Sequence, residues 1–330
     1  MTSLYPLRLE PIYQYRPWGG RRLSDLMAAP LPGSGPIGEA WILSDRDDQA
    51  TQVSNGPLQG QTIHQLLEQH PQQMMGDDEW TGRFPVLLKF LDVSGALSIQ
   101  VHPSDRQSAY LPAGETGKTE AWVVLAVGPD SLVYAGFQHG ENTATLTQAI
   151  ADGTLADHVS CFKPTPGEVV FVPAGVVHAL RDVVVFEVQQ NSDVTFRLFD
   201  WDRVDTATGK PRTLQVGSAL ASIDFQQAPV SPAVAELEAT TPARRERLLM
   251  APQFSLWRLQ ADGPCTIGAD GEPRAVICIE GHGRIGGPGA AGDVRAGDVW
   301  LLPAEVGSTL LSPAQPMTVL EVGLGHPATR

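Results

Sequence analysis

From residue 84 to the C-terminus, the apolar residues of this sequence come in short runs punctuated by glycine and proline. The runs cover 86–91, 97–101, 121–127, 132–135, 168–172, 183–189 and 194–199. Apolar segments this short, bounded by turn formers, read as strands rather than buried helices. Many short strands joined by many turns make a sandwich or a barrel. The 33 glycines and 27 prolines agree, exceeding average usage without reaching the level of disordered chains. Helical periodicity is confined to short pieces at 20–27, at 62–70, where Ile63, Leu66 and Leu67 share a face, and at 143–153. A proline- and alanine-rich run, 226–245, reads as a connection between domains. Strand-like runs resume beyond it at 254–259, 275–279, 298–302 and 318–322. The expected fold is all-β, with two barrels and a few short helices.

An internal repeat supports two barrels. Residues 167–178 read GEVVFVPAGVVH, and residues 297–308 read GDVWLLPAEVGS. Both place a glycine and an acid before four apolar residues, then proline, alanine and a turn, as one supersecondary unit used twice would. The first copy ends in His178 and the second in Ser308. Metal chemistry is therefore expected in the first barrel, and a structural role in the second.

The formal charge of −14 repels nucleic acid and anionic membrane surfaces, so neither is an expected partner. An anionic substrate would need a local cationic pocket. Cys161, Cys265 and Cys278 show no CxxC spacing, which fits a reducing compartment. No apolar run at the N-terminus has signal-peptide length and none elsewhere has the length of a membrane span, so a soluble, cytoplasmic protein is expected.

In 97–105, LSIQVHPSD, strand alternation turns Ser98, Gln100 and His102 to one face, and Pro103 ends the pairing. A lone histidine there is more often satisfied by a backbone carbonyl than bound to a metal. Glu120, opening an apolar strand in GKTEAWVVL, and His178, ending FVPAGVVH, change the balance. Two imidazoles, a carboxylate and an open position form a catalytic zinc pattern, with the Gln100 amide oxygen as a candidate fourth ligand. The same set suits a non-haem iron oxygenase. His64, His70, His139, His158, His282 and His326 stand in poorer contexts and read as surface residues.

The segments KFLDVSGALSIQVHPSD, GKTEAW, VPAGVVHAL and FEVQQNSDVTFRLFDWDR, with GEAWILSD at 38–45 and RPWGG at 16–20, resemble type I mannose-6-phosphate isomerase in order and spacing. The resemblance runs from about residue 9 to 205. The short gap between Glu120 and His178 resembles the compact bacterial branch. It implies cupin-type barrels (jelly rolls), with a catalytic domain over 1–235 and a cupin-like domain lacking metal ligands over 236–330. It also implies an enzyme of carbohydrate metabolism that interconverts mannose 6-phosphate and fructose 6-phosphate through an enediol. One Zn2+ per chain would be held by Gln100, His102, Glu120 and His178. Lys118 would take part in proton transfer, Arg197 would lie over the substrate, and Glu187 and Asp193 stand where the family has them. Ser98 would lie near the phosphate, and Arg203 would bind it. A base of tuned pKa must reach the carbon-bound proton. Lys118 is a candidate, because a nearby dication favours its neutral form, and Glu187 and the zinc-bound water compete with it. A non-haem iron cupin oxygenase fits less well, since Gln100, Lys118, Arg197 and Arg203 favour a polar phosphorylated substrate. A sugar-phosphate-binding cupin without turnover is the other alternative.

Overall fold

The short apolar runs fold as antiparallel strands in the computed structural model, which describes residues 3–77, 80, 82–138, 140–205, 208–286 and 292–325. The first part of the chain forms β1 (Leu7–Arg8), β2 (Ile12–Gly20), β3 (Ile37–Leu43), β4 (Val86–Ala96), β5 (Ile99–Val101) and β6 (Glu120–Phe137). These are followed by β7 (Val159–Phe162), β8 (Val169–Val172), β9 (His178–Gln190), β10 (Phe196–Phe199) and a small hairpin of β11 (Val204–Asp205) and β12 (Lys210–Pro211). One sheet runs β10-β5-β9-β4-β2-β3, and β6 joins it through β9 while also pairing β7 and β8.

The rest of the chain forms β13 (Glu236–Ala239), β14 (Arg244–Met250), β15 (Phe254–Ala261), β16 (Cys265–Ile267) and β17 (Arg274–Glu280). Then come β18 (His282–Ile285), β19 (Gly292–Arg295), β20 (Val299–Leu302), β21 (Thr309–Pro313) and β22 (Met317–Leu324). They assemble as β1-β20-β17-β22-β15-β14-β13 and β16-β21-β18-β19. The N-terminal strand β1 thus completes the sheet of the C-terminal part, and Arg8 fixes it there through Asp298 at 2.6 Å. The run 226–245 is only partly a connection. β13 and the start of β14 lie within it, because its prolines, at 229, 232 and 242, fall outside the two strands and leave their residues free to pair.

Few helices interrupt the strands: α1 (Ile63–Gln69), α2 (Pro71–Met75), α3 (Thr143–Asp152), α4 (Leu155–His158) and α5 (Val216–Ser222). Thr62 and Gln65 form a capping box at the start of α1, and Gly153, in the left-handed region at φ 71°, ends α3. The helix expected at 20–27 is a single 3-10 turn, Arg22–Asp25. The sequence reading passed over α5, which is short and buries only Ala219 and Ser222.

Strand β9 shows how sequence sets the layers. Val183 and Val185 face one apolar core with Val93, Ile99, Trp122 and Leu198. Val184, Phe186 and Val188 face another, shared with Leu256, Val299 and Leu320 of the C-terminal part. A period of two separates the sets, and both faces are covered, so the strand reads as one continuous apolar run. Phe186 is fully buried, and truncation to alanine costs about 3–5 kcal/mol at such a site. The same alternation sends Glu187 to the Val185 face, where only a polar centre can accommodate it.

Candidate metal centre and cleft

Two cross-strand rows build the site. In the first, Gln100 of β5 lies between Arg197 of β10 and His178 of β9. In the second, Glu187 of β9 lies between Lys89 of β4 and Trp122 of β6. Glu120 opens β6 opposite Val172 and Gln189, and His102 follows β5 directly, before Pro103. Residues far apart in sequence converge because each occupies a strand end or an inward-facing position on adjoining strands.

His102, Glu120 and His178 are all buried, and their donor atoms lie within 4.8 Å of one another. His102 Nδ1 bonds the Val194 carbonyl at 2.8 Å, and His178 Nδ1 bonds the Val176 carbonyl at 2.9 Å. A carbonyl only accepts, so each ring carries its proton on Nδ1 and turns a bare Nε2 to the centre. The Glu120 carboxylate stands 3.3 Å from His178 Nε2 and 3.4 Å from His102 Nε2. Two ligands each about 2.1 Å from a tetrahedral ion lie about 3.4 Å apart, so this donor set fits a divalent cation. Gln100 Nε2 lies 3.3 Å from His178 Nε2, and Ser98 donates to Gln100 Oε1 at 2.9 Å. Turning that amide over aims its oxygen at the centre, and the Ser98 hydroxyl can accept as well as donate.

Charge follows burial and neighbours. Burial, then Lys118, lowers the pKa of His102 to about 3, and burial lowers that of His178, so both rings are neutral, as ligands must be. Burial opposes ionisation of Glu120, but Lys118 and the two histidines outweigh it and hold its pKa well below the usual value. The Lys118 ammonium touches Glu120 Oε2 and lies 3.0 Å from His102 Nε2. Burial works against that charge, yet Glu120, Glu187 and Asp193 raise the lysine pKa. The neutral form expected from sequence rests on a neighbouring dication, and these carboxylates pull the other way. Glu187 shifts the other way, raised by burial and then by Glu120, and accepts a bond from Trp122 Nε1 at 2.9 Å.

A cleft of about 310 Å³ opens beside this centre, and Gln100, Lys118, Glu187, Asp193 and Arg197 line it. Ser98 is buried behind Gln100 and does not line it. Arg203 does not line it either. Trp201 and Asp202 are left-handed, with φ of 57° and 50°, and Arg203 N closes the turn on the Asp200 carbonyl at 3.1 Å. That turn carries the Arg203 guanidinium to the Ala96 carbonyl at 2.7 Å and to Asp200 at 2.5 Å. Five charged lining residues escaped the sequence reading: Arg16, Glu39, Lys89, Asp205 and Arg212. Lys89 is buried, 3.5 Å from Glu187 and 3.8 Å from Glu39, and its ammonium lies over the Trp41 ring. Arg16 grips Glu39 through both nitrogens, at 2.8 and 3.1 Å.

Of the histidines read as surface residues, His139 and His326 lie outside the described residues. His282 is exposed, and His64 and His158 pair with Asp45 at 3.0 Å and Glu141 at 2.8 Å.

The repeat holds in register. Val172 of the first copy pairs Glu120, and its counterpart Leu302 pairs Arg274. Two residues on, Trp122 pairs Glu187 and Val276 pairs Glu321. The second copy therefore sets Arg274 where the first has Glu120, Ser308 for His178, and Glu321 for Glu187. Buried Glu321 meets Arg245 at 3.3 Å and Arg274 at 3.6 Å, and both guanidiniums lie over the Trp257 ring.

Comparison with known proteins agrees with the geometry. A family model described as phosphomannose isomerase type I, catalytic domain, matches residues 6–120. The chain is 32% identical to mannose-6-phosphate isomerase ManA of Bacillus subtilis, over 92% of this chain and 94% of that one. It is 30% identical to mannose-6-phosphate isomerase of Streptococcus mutans, over 92% and 94%. The crystal structure of mannose 6-phosphate isomerase from Bacillus subtilis superposes with a TM-score of 0.88 at 29% identity, covering 97% of this chain and 99% of that one. A phosphomannose isomerase variant from Salmonella typhimurium, at 16% identity and a TM-score of 0.76 over 98% and 100% of the two chains, shares the fold.

Proposed function

The chain belongs to the mannose-6-phosphate isomerase family, and from that premise we propose that its cleft interconverts mannose 6-phosphate and fructose 6-phosphate. The observation that carries the reading is the convergence of two bare Nε2 atoms and the Glu120 carboxylate at the edge of a cleft lined by Lys118, Glu187 and Arg197.

His102, Glu120 and His178, with Gln100 turned over as a fourth ligand, would hold one Zn2+ per chain. When bound, the ion would polarise the oxygens at C1 and C2 and stabilise charge that develops on them. The chain's own residues divide the remaining work. Glu187, its pKa raised by burial, is the group suited to take the carbon-bound proton at one carbon and return it at the other. Lys118, which reaches the same cleft, is suited to exchange a proton with a substrate oxygen. Trp122 orients Glu187, and Lys89 balances its charge from the other side. Arg197 offers cationic stabilisation over the substrate, with Asp193 beside it. The two strand assemblies correspond, in this reading, to two cupin-type barrels over 1–235 and 236–330, the second without metal ligands.

A coupled assay of zinc-loaded protein on mannose 6-phosphate, run beside a chelated sample, tests the reading. Fructose 6-phosphate formation that chelation abolishes and zinc restores is the expected result. No turnover by the zinc-loaded protein would sink it. Oxygen consumption with Fe(II) would point to the oxygenase instead.

A further inference from the structure

The outer part of the cleft holds three guanidiniums, and they are not equivalent. Arg16 is matched by Glu39. Arg197 forms no ion pair among the described residues, and its Nε is buried without a partner. Arg212 lies on Asp200 as a fork, Nε to Oδ2 at 2.9 Å and Nη2 to Oδ1 at 2.5 Å, and its Nη1 has no bond among the described residues.

Backbone geometry sets Arg212 beside Arg197. Strand β10 is the edge of its sheet, and the segment after β12 is stitched onto it. Gln215 N donates to the Arg197 carbonyl at 2.9 Å, and Arg197 N donates to Gln215 Oε1 at 3.0 Å. Arg212 is also the first charged neighbour, after burial itself, to depress the pKa of Arg197. Asp200 and Asp193 offset part of that repulsion, and an anion bridging the two guanidiniums would offset more of it. Arg197 stands one strand from Gln100 and two from His178, roughly 10 Å across the sheet. A six-carbon sugar phosphate with its carbonyl end at the metal ligands spans such a gap.

We propose that Arg212, seated on Asp200 beside Arg197, supplies the second guanidinium for the substrate phosphate, and that Arg203 serves only to buttress Asp200. The inference rests on the isomerase reading above and replaces the Arg203 assignment suggested by the sequence. Asp200 binds both arginines on one carboxylate, so Arg203 fixes the platform while Arg212 faces the cleft.

The test compares Arg212→Met, Arg212→Lys and Arg203→Met in zinc-loaded enzyme, with thermal melts to verify folding. Mannose 6-phosphate, unphosphorylated mannose and inorganic phosphate as competitor are the probes. Losing a charge-assisted bond to the phosphate should raise KM for mannose 6-phosphate and Ki for inorganic phosphate roughly 10- to 100-fold in Arg212→Met. Metal content and kcat/KM for mannose should stay within about twofold, since mannose has no phosphate to lose. Arg212→Lys should restore part of the affinity, and Arg203→Met should change it less than Arg212→Met does. Unchanged KM and Ki in Arg212→Met, or an equal loss on mannose, would overturn the proposal while leaving the isomerase reading intact. If the wild type fails to turn over mannose 6-phosphate, the isomerase reading falls. Calorimetric binding of inorganic phosphate then still decides the pair: weaker binding in Arg212→Met supports it, and equal binding overturns it.

Discussion

Replacing Glu39 with glutamine probes the charge chain that backs the cleft. The Glu39 carboxylate is buried among Arg16, Lys89 and the Trp41 indole, which donates to it at 2.6 Å. Burial opposes its ionisation, but Lys89 and Arg16 outweigh it and bring the pKa from 4.5 to about 2. Each pKa unit corresponds to about 1.4 kcal/mol, so ionised Glu39 contributes about 3 kcal/mol at neutral pH. The general cost of removing one partner of a buried ion pair, about 3–5 kcal/mol, is of the same size. Glutamine keeps the shape and can still accept from Trp41, but it leaves buried Lys89 with Glu187 alone. A group whose folded pKa is depressed contributes stability above its unfolded pKa and loses it as pH falls through the folded one. The gap between wild type and Glu39→Gln should therefore be full at pH 7 and shrink from about pH 4.5 toward pH 2. Urea unfolding of both proteins at steps across that range measures it. A difference below about 1 kcal/mol at pH 7, or one that does not change on acidification, would refute the reasoning.

Three further outcomes follow from the site. Glu120→Gln and His178→Ala should each strip most of the bound metal, read by elemental analysis, and with it most of the activity; normal metal content would end the ligand assignment. Arg197→Ala should lower turnover at least 100-fold, about 3 kcal/mol of transition-state stabilisation, while metal content stays near wild type; an equal loss of both would mark the residue as structural. Ser308→Ala removes only an exposed bond to Asp270 and should change stability by no more than about 0.5 kcal/mol and activity not at all. An inactive Ser308→Ala would show that the second repeat copy carries chemistry.

The cluster of His102, Glu120 and His178 was legible in the sequence because each stands at a strand end marked by its own neighbours: Pro103 after His102, Lys118 before Glu120, and the Pro173 turn before His178. Lys89 was missed because it sits inside VLLKFL, where one lysine is easily taken for a solvated edge position. The available signal was alternation. Lys89 shares a face with Leu91 and Val93, both buried, so its charge had to be met inside the protein. The turn at Trp201 and Asp202, which takes Arg203 out of the cleft lining, was not foreseen, because left-handed backbone is rarely announced by residues other than glycine. That turn directs Arg203 away from the cleft, and the β11–β12 hairpin returns Arg212 to it. The pairing of β1 with β20 was equally hidden, since two residues carry no periodicity.

The guanidiniums around Glu321 have a consequence for how the protein meets changing surroundings. The first repeat copy builds its centre for a cation that a chelator can withdraw or a rival ion can displace. In the second copy the counter-charge to the buried carboxylate is part of the chain, and it cannot diffuse away. Through β1 and the core around Phe186, Leu256 and Leu320, that half packs against one wall of the other. If the first copy holds a metal as proposed, losing it should leave the ion pairs around Glu321 intact.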